Sequence, residues 1–542
     1  FTICDYVFIE NIHNYMANYD VGKGTYIENT NLIVVDGKTT FGNGVRVPVM
    51  NETGGREVPI YDFLSAPLAY ILTLYRHRPQ MIENLQKMID DYSESISSDR
   101  GKIGENVEII NCGRIKNVRI GDCSSIKGVS NLKNGSINSN AKAPVHIGSG
   151  VKCTDFIICS GVSISDSTLL STCFIGQGCI MDKHYSALDS LFFSNCQGMH
   201  GEATAIFAGP YTVSHHKSSL LIAGMFSFLN AGSGSNQSNH MYKLGPIHQG
   251  IVERGSKTTS DSYILWPAKI GTFTLVMGRH TSHSDTTDLP FSYLIAYSDV
   301  MYLVPGRNLT TVGLYRDIRK WPKRDLRPRC GQKSIVNFDW LSPFSVGEIL
   351  HGKKILENLR AASGDNVSTY NYHEYVIKAS ALRKGIKYYD IALRIFMGAV
   401  LKRHKLELPK NATGVGDWTD LSGMLMPVSE EQRLVEDIKN GSLDNIVAVL
   451  DRFDEINRNY SEYRWSWTYQ MILTYYGLDT LTEDDEERIR QDYIKARRAW
   501  IAEIRKDAEK EFALGDVEHK VLENFISQLD KEVDFENQRL DL

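Results

Sequence analysis

Most of the signatures that would assign this chain to a function are missing from it. No apolar run approaches the ~20 residues of a membrane-spanning helix. The longest, 220–229, is about half that length, which excludes a spanning segment and predicts a soluble, cytoplasmic protein. Positive charge is not in excess: 60 Lys and Arg against 65 Asp and Glu leave a formal net charge of -5, which argues against a dedicated nucleic-acid binder. Cysteine is sparse, with nine in 542 residues and no CxxC pair. The separations Cys153/Cys159 and Cys173/Cys179 suit small stacked core residues better than disulfides or zinc ligands, and fit a reducing compartment. No GxGxxG opens a helix, no GxSxG elbow is present, and Gly22-Lys-Gly-Thr25 lacks the upstream glycine of a Walker loop, so nucleotide folds and serine hydrolases have no support. The sequence opens Phe1-Thr2-Ile3 and not on Met, so an upstream segment is expected, a signal peptide being one kind.

What is present from Gly101 onward is isoleucine at steps of five or six: Ile103, Ile109, Ile115, Ile120, Ile126, Ile147, Ile158, Ile164, Ile175 and Ile180, with Leu170 in the same series. A helix needs apolar steps of three and four and a half-buried strand needs alternation, so neither template fits. A six-residue repeat with one inward aliphatic per short strand does fit, three strands making a triangular coil of about eighteen residues. The Ile-Gly pairs at 103, 120, 147 and 175 resemble the turn motif of the hexapeptide-repeat transferases, which implies a left-handed parallel β-helix over roughly residues 100–300. With its helical tail, described next, the chain looks still closer to an uncharacterised bacterial family with a β-helix body. Gly22 to Ile27, Phe41-Gly42 and Val45 to Val49 carry similar spacing, so residues 1–60 are a β segment that can join the coils. The stretches 130–144, 182–190 and 227–246 interrupt the repeat and are predicted to leave the coils as loops.

Helical spacing over 61–99, broken at Pro79, predicts an inserted helical hairpin. Residues 301–344 hold a basic stretch from Arg316 to Arg329 with Trp321, Pro322 and Pro328, read as an extended linker, with a phosphate or nucleic-acid contact as its functional alternative. Residues 345–542 are predicted to be all-α. Ser429 with Gln432, and Thr482 with Asp485, are spaced as capping boxes, and Gly441 is placed to end a helix. Architecture is therefore mixed, β then α.

Seven of the fifteen histidines fall between His200 and His283, among lysines and arginines and beside the Gly-Ser run 231–239. Imidazoles that titrate near neutrality, with cations beside them, suit a pocket for an anionic small molecule. Candidate bases are His240, His215 and His216. Lys217, Asn239, Lys243, Arg254, Lys257, Arg279 and His280 are candidate ligand contacts, expected to converge on one cavity. With eighteen-residue coils, Lys243, Asp261 and Arg279 stack on one face as a pocket wall or a charge ladder, and Asn230 stacks on His248. His280, His283 and Asp285 offer two imidazoles and a carboxylate to a divalent metal, provided that Thr281-Ser282 turn.

The resemblance implies a transferase acting on a phosphosugar or nucleotide sugar, with histidine as general base, acyl-CoA as a candidate donor, and a homo-oligomer, a trimer above all. Two other classes remain open: a non-catalytic scaffold or ligand-binding assembly protein, and a metal-dependent enzyme using the His280/His283/Asp285 cluster.

Overall fold

One inward aliphatic per short strand closes a coil only if successive coils set like side chains in columns, and three such columns run through this molecule. The computed structural model describes residues 2–238, 250–329, 331–515 and 519–540. In it Ile103, Ile120, Ile137, Ile158 and Ile175 pair in parallel register down one side. Ile109, Ile126, Ile147, Ile164 and Met181 line the second, and Ile115, Leu132, Cys153, Leu170 and Ala187 the third. All fifteen are buried. This is a left-handed parallel β-solenoid of hexapeptide-repeat type. Cys153 takes a column position and Cys173 is buried in register between Phe156 and Ser190, which is why cysteine recurs here without disulfides.

The coil length is set by its corners. Asn117, Asn134, Asp155, Thr172 and Asp189 stack at one corner with φ of 50–56°, the left-handed region, which Asn and Asp tolerate best among residues with a Cβ. Asn134 Nδ2 donates to Asp155 Oδ1 at 2.6 Å, so the corner is also a side-chain ladder. A single-residue corner shortens the coil: Arg114 pairs with Asn131 and Lys152 with Leu169, each a step of 17. Two of the expected loops are therefore not loops. Residues 131–137 and 186–192 are strands in register with their neighbours, because polar side chains can face outward without breaking the inward column.

Residues 2–34 form coil at the amino-terminal end, with Val21, Ile27 and Ile33 above Ile103, Ile109 and Ile115. The chain then leaves the solenoid. It makes an antiparallel pair, Arg46–Pro48 with Glu57–Pro59, and the helical hairpin α1 (Ala66–Leu74) and α2 (Pro79–Ser95), and rejoins at Gly101. The hairpin covers an outer solenoid face that is itself apolar, where Phe174, Phe193 and Phe207 stack at 5.5 and 5.1 Å between centroids.

Residues 301–344 are not an extended linker. Val300–Val304 turns back antiparallel on Tyr293–Tyr297 to close the last coil, and α3 spans Val312–Lys323, its start capped by Thr311 Oγ1 accepting from Leu314 N. Val312, Tyr315, Ile318 and Trp321 recur at helical spacing and pack inward, and Pro322, which has no N–H to donate, stands one residue before the helix ends at Lys323.

The all-α domain follows as α4 (Pro343–Ser363), α5 (Ala379–His404), α6 (Val428–Asn440), α7 (Ile446–Arg458), α8 (Tyr460–Tyr476), α9 (Glu483–Ala513) and α10 (His519–Leu540), with two short β-hairpins between them. The Thr482/Asp485 capping box forms, and Gly441 ends α6 in the left-handed conformation. Ser429 does not cap: α6 begins two residues earlier than such a cap would place it, after Pro427, and the Ser429 hydroxyl donates to Thr413 O. No helix among the described residues is long and apolar enough to cross a membrane.

Candidate functional site

A second corner column of the solenoid carries Asn195, Tyr211, Phe228, Phe273 and Phe291, again at positive φ. Tyr211 stacks on Phe228 and Phe273 on Phe291, at 5.4 and 4.6 Å, and Trp321 of α3 packs edge-on against Phe228 at 4.9 Å. Tyr211 Oη donates to Trp321 O at 2.7 Å, and Asn195 ties the segment beyond α3 through Asp325 Oδ1 and Leu326 N. These contacts fix the basic helix over the strand faces beside the corner. They leave between helix and coils a cavity of about 210 Å³, lined among others by Gln197, His215, Asn230, Asp317, Lys320 and Arg324.

His215 is half-buried there, with Nε2 2.8 Å from Gln197 Oε1. Burial lowers its pKa below the usual 6.5, and the charges of His216, Lys320 and Arg324 lower it further, so the ring is neutral at pH 7. Since the Gln197 carbonyl only accepts, the proton belongs on Nε2 and the Nδ1 lone pair is left for chemistry. Lys320 Nζ reaches Asp317 Oδ1 at 3.1 Å, and the same carboxylate pairs with Lys257. Arg324 makes no ion pair among the described residues. Lys257 and Lys320 thus share one carboxylate while Arg324 adds a further cation to the lining, and the wall carries surplus positive charge. Lys320 and Arg324 belong to the stretch whose sequence reads first as a linker and only alternatively as a phosphate contact; the helical spacing of Val312, Tyr315, Ile318 and Trp321 is the clue that they stand on a packed helix.

The other expected contacts do not gather at this cavity. His216 and Lys217 are exposed on the turn beyond His215. Asn239, His240, Lys243 and His248 lie outside the described residues. Asn230 pairs with Lys257, a longer step than one eighteen-residue coil, so spacing misjudges neighbours there. Arg279 is exposed, bonded to Asp261 at 3.0 Å: that pair of the expected ladder forms, on the surface, while Lys243 lies outside the described residues. His280 points inward, 1% exposed, with Nε2 3.1 Å from Met277 O, while His283 is exposed with Nδ1 3.1 Å from Pro267 O. They and Asp285 make no joint metal site, and no group of three or more His, Cys, Asp or Glu able to hold a metal occurs among the described residues. Residues 279–280 form a strand, which sends the neighbouring side chains to opposite sides.

Arg254 has a different role. Only 2% exposed, its guanidinium bonds the Asp420 carboxylate and the carbonyls of Asn337 and Gly423, and stacks 4.8 Å over Phe228, clamping the hairpin 418–427 to the solenoid. Beside it a cavity of about 180 Å³ includes Glu253 in its lining. The Glu253 carboxyl accepts from Thr272 Oγ1 at 3.0 Å and faces Glu348 of α4 within hydrogen-bond reach. Burial, with the charge of Asp420, pushes Glu253 up to about 7; burial and the Glu253 charge push Glu348 well above its ordinary value.

Residues 401–542 match the family model described as Domain of unknown function (DUF6819). An uncharacterized protein of Treponema pallidum (strain Nichols) is 22% identical over 504 residues, covering 82% of this chain and 68% of that protein. Residues 1–360, which hold the whole solenoid and α3, match the model described as Domain of unknown function (DUF4954), and the chain belongs to that family.

Proposed function

We propose that the cavity beneath α3 binds an anionic small molecule of the phosphosugar or nucleotide-sugar class, and that His215 is the general base for a group transfer onto it. The observation that carries this reading is an imidazole kept neutral beside two cations, its Nε2 side held by Gln197. Lys320 and Arg324 attract the anion and orient its polar end. Nδ1 of His215 accepts the proton of the attacking hydroxyl or amine as the new bond forms. The hexapeptide-repeat fold supports a transferase in general, and acyl-CoA is the donor class that the resemblance suggests.

The test is thiol release from acyl-CoA pools in the presence of sugar phosphates, with ligand binding measured separately. His215→Ala is expected to lose turnover by 10²-fold or more while retaining the ligand, and Arg324→Met to weaken binding. Binding of the anion without any turnover would favour the non-catalytic reading. Absence of both would remove the site.

A further inference from the structure

We infer that a groove between the inserted hairpin and α7 binds an amphipathic organic monoanion, a carboxylate with an apolar tail. Two cavities, of about 350 and 420 Å³, meet at Phe63, Tyr92 and Lys333. The first is apolar, walled by Ile446, Val447, Leu450 and Phe453 of α7, and its lip leaves Phe63 38% and Val447 62% exposed. Exposed aliphatic and aromatic surface that converges on a concavity of this size is the usual make-up of a small-molecule cleft.

Lys333 stands at the junction, its ammonium 3.8 Å from the Phe63 ring centroid and without a carboxylate partner among the described residues. Burial lowers its pKa, the cost of holding a cation that nothing neutralises. On the polar side the nearest carboxylate, Asp62, is already committed to Tyr92, Arg119 and Asn138. A bound anion is what that ammonium lacks. Asp451 and Asp454 also line the apolar cavity but are exposed to solvent, whereas Lys333 is partly buried against Phe63, so the cation is the charge that a bound head group meets inside the groove. A second observation points inward: Ser65 lines the apolar cavity, is 2% exposed, and its hydroxyl has no hydrogen-bond partner among the described residues. The site is separate from His215 and does not rest on the function proposed above.

The experiment is calorimetric titration of the full chain with dodecanoate, and with dodecyltrimethylammonium as a probe of equal tail and opposite charge, both below their micelle concentrations. Saturable one-to-one binding of dodecanoate is expected, with the ammonium at least fivefold weaker. Lys333→Met should weaken dodecanoate at least fivefold, and Lys333→Arg, which keeps the charge, should retain it; Val447→Glu should weaken it through the tail. Equal binding of the two amphiphiles, a smaller effect of Lys333→Met, or no saturable binding would each overturn the assignment.

Discussion

Replacing Glu253 by Gln should make the protein more stable at pH 8 than the parent and flatten its dependence on pH. Glu253 and Glu348 face each other where the solenoid meets α4, with Asp420 nearby, so the folded chain resists ionising them. Glu253 is pushed up to about 7 from 4.5. At 1.36 kcal/mol per unit this is about 3 kcal/mol. The sign follows from proton linkage: between pH 4.5 and 7 the folded state holds a proton that the unfolded chain has released, so stability falls as pH rises. The contribution is fully present below about 4.5, is lost through about 7, and is level above. The amide of Glu253→Gln can still accept from Thr272 Oγ1 and can donate to Glu348, without titrating. Urea midpoints for parent and variant at pH 5 and pH 8 are the measurement. Half-buried His215 and His404 and buried His280, whose pKa values desolvation lowers, contribute in the opposite sense as pH falls, but equally in both proteins. The difference of differences therefore isolates the acid pair. Identical pH dependence in the two proteins would refute the argument.

Arg254→Met removes the cation of a buried pair and strands Asp420, at an expected cost of about 3–5 kcal/mol, read as loss of stability and early release of the 418–427 hairpin in hydrogen exchange. Asn134→Ala, at a left-handed corner and bonded to Asp155, should cost about 2 kcal/mol, while Asn134→Gly should recover part of it; equal losses in denaturant would show that backbone strain is not involved. Trp321→Ala should cost about 3–5 kcal/mol and weaken anion binding at the His215 cavity, since the indole holds α3 against Phe228; calorimetry with a sugar phosphate reads the second effect. Gly398→Leu should open the seam between α5 and α9, where a Cβ would lie 2.3 Å from that of Tyr493, and is expected to lower the cooperativity of unfolding.

The sequence by itself determined the solenoid. Isoleucine at steps of five or six has one cheap solution, an inward column on each side of a coil, and local repetition expresses it without long-range information. It also determined the inserted helical hairpin, the interior placement of Cys153 and Cys173, and the helical tail with its Thr482/Asp485 cap, all of which rest on spacings within one turn or one strand. What it could not give was the coil length. A corner of one left-handed Asn or Asp turns eighteen residues into seventeen, and the 27-residue step from Asn230 to its partner Lys257 departs from both, so no fixed repeat length carries a stacking argument along the whole body. Only the tertiary structure decided which cations line a cavity. Arg254 and Lys257 resemble ligand-binding residues until Asp420 and Asp317, far along the chain, are seen to neutralise them. Lys320 and Arg324 resemble a solvated linker until Trp321 is found packed on Phe228. Charge has no periodicity that marks its partner, so a site built by docking a helix on a solenoid can be read only where the two surfaces meet.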